Sequence, residues 1–204
     1  SSRTLKEKGA RQLSDGIEGA SSVNVVSGFG IFDLFVIRGF DSLTNGLVMI
    51  DGVREPESTF LPAYNIERLE VLRGPGGFAS GPDAAASTVN VLRKLPLGRS
   101  FAAGGARIGS YNSFDVDGDF GVANEDATLS GRLPVFVRGS DGYRDRENSQ
   151  WGFNPGVRIA RPSGFVGVVN YEHLRSEFIP DIGLPLVNGA VPNVPRENNY
   201  QTPF

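Results

Sequence analysis

The feature that most constrains this chain is a strict two-residue alternation of apolar and polar side chains in its second half. In residues 114–122, Phe114, Val116, Gly118, Phe120 and Val122 alternate with Asp115, Asp117, Asp119 and Gly121. In residues 128–139, Leu129, Gly131, Leu133, Val135 and Val137 alternate with Thr128, Ser130, Arg132, Pro134, Phe136 and Arg138. In residues 151–159, Trp151, Phe153, Pro155, Val157 and Ile159 alternate with Gly152, Asn154, Gly156 and Arg158. Successive side chains of a strand point to opposite faces, so each segment predicts a strand with one apolar and one polar face. Residues 101–109 and 165–177 read as further strands with poorer alternation. About five antiparallel strands are expected, and a helical second half is excluded.

Alternation alone does not say what covers the apolar face. The inner faces of a soluble β-sandwich alternate in the same way. A membrane barrel also does, with lipid on the apolar side. The connections vary in length: 123–127 and 162–164 are short, while 141–150 and the run after Phe178 are longer and more polar. Barrels of the outer membrane show that asymmetry. If the barrel reading holds, Leu129, Leu133, Val135, Val137, Phe153, Val157 and Ile159 face lipid. Asp115, Asp117, Asp119, Arg132, Arg138 and Arg158 then face the lumen, where the three aspartates read as a solvated lining without a fixed partner. No apolar run approaches the ~18 residues that a spanning helix needs.

The first half has a different texture. Residues 5–20 have helical character, with Leu13 and Ile17 four apart. Short apolar runs follow at 23–26, 34–37, 47–50, 69–72 and 88–92, each bounded by Gly, Pro, Asp or Asn in the manner of short strands. Asp51-Gly52 is placed to turn a hairpin. Residues 1–98 therefore read as an α+β domain, and 99–204 as the strand-rich part. Composition agrees: 27 glycines, 13 prolines and 39% hydrophobic residues describe a folded, turn-rich chain. A net charge of −3 gives no electrostatic case for nucleic acid. Without cysteine there are no disulfides or thiolate sites. His173 is the only histidine, so neither a histidine-based triad nor a multi-histidine metal site can be built. It reads as a lumen or loop residue. Residues 144–147, Arg-Asp-Arg-Glu, read as an exposed loop. No catalytic group, metal site or protein cofactor is expected.

Three ordered blocks in the first half carry a resemblance. Phe35-Val36-Ile37-Arg38-Gly39-Phe40 resembles an IRGF block. Val48-Met49-Ile50-Asp51-Gly52-Val53-Arg54 resembles a VxxDGV(R) block. Ile66-Glu67-Arg68-Leu69-Glu70-Val71-Leu72-Arg73-Gly74-Pro75 is similar to IERIEVLRGP nearly letter for letter. Val89-Asn90-Val91 and Arg93-Lys94-Leu95-Pro96 resemble the INLVTKRP stretch that follows. These are blocks of the plug domain of TonB-dependent outer-membrane receptors. Gly109-Ser110-Tyr111, Gly142-Tyr143-Arg144-Asp145 and Trp151…Asn154-Pro155 resemble early barrel strands of the siderophore-receptor branch. Residues 78–90 depart from the family, lacking its aromatic and paired glycines after LRGP.

The resemblance implies an α+β plug followed by the first antiparallel strands of a 22-stranded transmembrane β-barrel that this chain does not complete. It implies a Gram-negative outer-membrane location and import of a ferric siderophore, with the iron carried inside the ligand. The partners it implies are that chelate, outer-membrane lipid and TonB of the inner-membrane energy-coupling complex. Import of cobalamin or a saccharide is an alternative in the same class, and a secreted β-rich binding module is one in another. Outward plug loops touch ligand in this family, which points to Phe29, Ser42, Thr44, Asn45, Thr59 and Phe60. Arg38 and Arg73 match the pair that locks the plug to glutamates of later barrel strands, and each is expected in or beside the plug core.

Overall fold

The computed structural model describes residues 1–28, 32–42, 48–54, 60–73, 87–181, 183–195 and 198. The chain forms two compact units, Ser1–Lys94 and Leu95–Phe204.

The first unit is α+β. Helix α1 (Ser2–Glu7) is capped by Ser1, whose hydroxyl accepts the Thr4 N–H, and Gly9 with φ +69° ends the turn that follows it. Helix α2 (Leu13–Ile17) starts where the Asp15 carboxylate accepts the N–H groups of Arg11 and Gln12 at 2.8 and 3.1 Å. The helical stretch read at 5–20 is thus two short helices. Strands β1 (Val23–Gly28), β2 (Phe32–Ile37) and β3 (Phe40–Asp41) form an antiparallel sheet. Strands β4 (Val48–Ile50), β5 (Val53–Arg54), β6 (Ile66–Arg73) and β7 (Ser87–Arg93) form a second, in the order β5-β4-β7-β6, with β4 and β7 parallel. Asp51-Gly52 closes the β4–β5 hairpin, both residues at positive φ (+50° and +84°), as a type I′ turn requires. Leu5, Leu13, Ile17, Phe35, Ile37, Val48, Ile66, Val89 and Val91 make one core beneath both sheets. Gly16 lets α2 approach closely: a Cβ there would stand 2.6 Å from Leu69 Cδ1 and 2.7 Å from Leu5 Cδ2.

The second unit is an antiparallel meander. Its strands are β8 (Phe101–Gly109), β9 (Ser113–Ala123), β10 (Leu129–Ser140), β11 (Asn148–Phe153), β12 (Gly156–Ala160), β13 (Val166–Asn170) and β14 (His173–Phe178). Because β11 and β12 both pair with the same side of β10, and β14 and β13 continue them, the seven segments follow five strand paths. Pro134 explains the interruptions. Its carbonyl accepts the Asn154 N–H at 3.0 Å, so its missing donor points to the same neighbour, and that neighbour breaks at Asn154-Pro155. The Pro155 carbonyl in turn accepts the Tyr171 N–H at 3.0 Å, and the next path breaks at 171–172. One proline thus starts a break in the next path that a second proline carries to the path beyond.

Burial along this sheet is inverted relative to a soluble protein. On β10, Leu129, Leu133 and Val137 are exposed, while Ser130, Arg132, Pro134, Phe136 and Arg138 are buried. On β9, Phe114, Val116, Phe120 and Val122 are exposed, and Asp115 and Asp119 are buried. A sandwich would bury the apolar face, so that reading fails. Strands of 11 and 12 residues meet the about 9–11 that a tilted strand needs to reach across a bilayer. No helix among the described residues is long and apolar enough to cross a membrane.

Candidate functional site

The IRGF block forms the β2–β3 hairpin. Ile37 pairs with Phe40, and Arg38-Gly39 supplies the two left-handed turn residues at φ +52° and +87°. That geometry corrects the expectation of an arginine in or beside the core. Arg38 stands exposed at the hairpin tip, because the first position of such a turn projects its side chain away from both strands. Among the described residues it has no ion pair. Arg73 ends β6, its backbone paired with Ser87; its side chain lies outside the described residues, as do Phe29, Thr44, Asn45 and Thr59.

Ser42 is described and buried. Its N–H donates to the Phe35 carbonyl at 2.9 Å, and its hydroxyl accepts the Phe35 N–H at 3.2 Å. Ser42 therefore fastens the β2–β3 hairpin instead of presenting a hydroxyl to a ligand. Phe60 is half-buried at the start of the segment leading to Leu61.

The DGVR block is a polar hub. Arg93 donates to both Asp51 oxygens, from its backbone N–H at 2.9 Å and its Nε at 2.7 Å. The Gly52 N–H donates to Asn90 Oδ1 at 3.1 Å, and Asn90 Nδ2 donates to Glu70 at 3.2 Å. Residues from the second and third family blocks and the stretch after them meet within two strand spacings.

Asp33 was not anticipated. It lies on the core side of β2, in register with Phe35 and Ile37, and only 1% of it is exposed. Its two carboxylate oxygens accept the Ser14 and Leu61 N–H groups, each at 2.7 Å. Burial pushes its carboxyl up from the ordinary 3.8 to about 6, against the opposing pull of those two bonds. The signal available in the sequence was an acid at a core position of an apolar strand.

The polar face of the barrel sheet is built of fixed ion pairs, contrary to the solvated lining expected. Arg132 grips Asp119 with two prongs, Nε to Oδ1 at 2.9 Å and Nη2 to Oδ2 at 2.8 Å, and also donates to the Leu95 carbonyl at 2.9 Å. Its guanidinium lies 5.3 Å from the Phe101 ring centre. Asp115 stands between Arg107 at 3.3 Å and Arg138 at 3.9 Å, and Arg138 lies 4.6 Å above the Phe136 ring. Arg158 is half-buried on the same face. Taking these charges out of water is costly, and pairing offsets that cost.

His173 also differs from expectation. It is the register partner of Phe153 on the apolar face, 5.0 Å from the Trp151 ring and 5.5 Å from that of Phe153. Strand alternation allows it no other face. The 144–147 run is likewise more than an exposed loop. Arg144 and Arg146 both donate to the Asn198 carbonyl, at 2.8 and 3.0 Å, and Arg144 lies 3.5 Å from Asp181. At this end of the sheet Asn112, Phe114, Asp141, Glu147, Asn148 and Phe178 border a cavity of about 560 Å³.

An α+β unit followed by antiparallel strands long enough to span a bilayer, with their apolar side chains exposed, defines the start of a membrane β-barrel protein. Residues 1–88 match the model of the TonB-dependent Receptor Plug Domain, so the first unit belongs to that domain family, and the chain as a whole matches the plug and first, unclosed barrel strands of TonB-dependent receptor structures. It is 28% identical over 204 aligned positions to the catecholate siderophore receptor Fiu of Escherichia coli, covering 92% of this chain and 25% of that protein. The probable TonB-dependent receptor BfrD of Bordetella pertussis is 27% identical over 190, covering 90% and 25%. The crystal structure of Fiu superposes with a TM-score of 0.78 over 90% of this chain and 27% of that one. The siderophore receptor PiuA of Acinetobacter baumannii, 20% identical, shares the fold with a TM-score of 0.80 over 91% and 27%. The chain thus spans about a quarter of the length of the curated relatives it matches.

Proposed function

We propose that the chain is the N-terminal part of a Gram-negative outer-membrane transporter that imports a ferric siderophore, with plug opening driven by ligand binding and by TonB. The observation that carries this reading is the similarity to Fiu across both units, plug and early strands together. The inverted sheet supports an outer-membrane location with lipid on the apolar face. No covalent chemistry is needed; the work is a shift between closed and open plug states. The ligand is an iron chelate held above the plug, and Phe29, Thr44, Asn45, Thr59 and Phe60 remain the proposed contacts.

The exposure of Arg38 supports its proposed role in the lock. A guanidinium at the tip of a rigid hairpin is available to a carboxylate outside the plug, and its planar fork suits a two-pronged grip. Arg73 is proposed as its companion.

The intact receptor, expressed in a strain stripped of its own siderophore receptors, tests the function. Growth under iron limitation on a ferric catecholate, lost when TonB is deleted, is the expected result. Growth rescued only by cobalamin or a saccharide would move the receptor to another ligand, and no TonB-dependent growth on any of them would overturn the proposal.

A further inference from the structure

Asp33 joins three chain segments through one side chain. From β2 it holds Ser14, in the first turn of α2, and Leu61, which lies 47 positions further along the chain. Among the described residues, two backbone bonds attach the layer around it. The Leu13 N–H donates to the Leu61 carbonyl and the Ala63 N–H to the Arg11 carbonyl, both at 2.9 Å, flanking the single bridge between Gln12 and Pro62. Leu13 and Ile17 add apolar burial. Among the described residues, two backbone bonds and the buried Leu13 and Ile17 of one short helix hold this layer, beside the seven paired positions of β6 and β7.

We propose that Asp33 is the positioning residue that fastens the N-terminal layer, residues 11–20, to the rest of the plug, and that its release is the step that frees this layer to move. The inference rests on the plug motion proposed above. A buried carboxylate suits a fastener that opens as a unit. Both N–H bonds depend on the same side chain, so they are lost together, and once wet the carboxylate recovers the hydration it gave up on burial. The charged neighbour acting on it is Asp15 of α2. Leu13, Phe35 and Leu61, which adjoin its partners in α2, β2 and the 60–65 segment, are apolar.

The sign of the pH dependence follows. The closed layer holds the Asp33 proton more tightly than the opened, hydrated one, with the carboxyl near 6 against 3.8. The extra stability is complete below about pH 4 and lost as pH rises to 6. The opening constant of the layer should therefore rise about fiftyfold between pH 4 and 6.5 and level off above.

Hydrogen exchange followed by mass spectrometry on the intact, ligand-free receptor reads this directly. After correction for intrinsic exchange, the wild-type peptide covering 11–20 should show that rise, while the peptide covering β6 should not. Asp33→Asn keeps the shape and removes the titration, so its 11–20 peptide should open more readily at pH 4 and lose the pH profile. A wild-type layer whose opening ignores pH would overturn the proposal. So would a profile that survives Asp33→Asn, or β6 opening in step with the layer. Exchange requires neither ligand nor TonB, so its outcome is separate from the success or failure of the import assay.

Discussion

At the scale of single residues, the structure separates side chains that hold the fold from those that face outward. Arg38 is in the second group. The double change Arg38→Ala with Arg73→Ala in the intact receptor is expected to raise leakage of bulky antibiotics through the barrel, with folding and insertion unchanged. Leakage at the wild-type level would end the lock hypothesis. Asp119 and Arg132 are in the first group, with 5% and 7% exposed. Removing either one leaves a buried charge, so Asp119→Ala or Arg132→Ala should each cost about 3–5 kcal/mol. Replacing both with leucine should recover much of that loss. Thermal unfolding of the four proteins in detergent tests this; a double-leucine protein as unstable as the singles would show that the stranded charge is not what costs the stability. The face of Asp115, Asp117 and Asp119 was legible from alternation. Their partners were not, because a pairing between Asp119 and Arg132 depends on the register of β9 against β10, which alternation leaves open.

At the scale of elements, the two halves are unequally legible in the sequence. The five strand paths and their phase follow from the period of two. The interruptions at Asn154-Pro155 and at 171–172 do not, because each arises in a neighbouring strand, from the donors that Pro134 and Pro155 lack. Phase gives a prediction: Val135→Arg puts a guanidinium on the lipid side, at a cost of about 2–4 kcal/mol near the midplane. The intact receptor carrying it should assemble poorly, judged by the fraction that migrates faster on a gel when unheated. Arg132→Val, mild on phase alone, should also impair assembly because Asp119 stays behind. Wild-type assembly of Val135→Arg would place that face away from lipid. In the plug, the helical signal at 5–20 resolves into α1 and α2 around Gly9. Gly16 then sets how closely α2 packs. Gly16→Ala should overpack Leu5 and Leu69 and destabilise the plug by about 1–3 kcal/mol, read from faster exchange in residues 1–20. Exchange no faster than wild type would mean those side chains have room to move.

At the scale of the whole molecule, five strand paths cannot close. An open edge in hydrocarbon leaves backbone donors and acceptors unsatisfied, so a stable barrel needs strands outside these 204 residues. The intact receptor should be heat-modifiable on a gel, whereas residues 1–204 alone should not. A heat-modifiable fragment would mean that the sheet closes by self-association.

The sequence by itself determined the two textures, the α+β plug with its IRGF, DGVR and LRGP blocks, and the alternating strands after it. Each of these is local: a two-residue period, a turn dipeptide and a short motif are written in neighbouring positions. Only the tertiary structure decided that the apolar face of the sheet is the exposed one, since burial is a property of what lies beside a strand and not of its pattern. Only the fold brought Asp33 to Ser14 and Leu61, and Asp51 to Arg93, because those pairs are made across 19 to 42 positions of chain. It also turned Arg38 outward, because the β2–β3 pairing puts that residue in a left-handed turn, which the motif does not spell out.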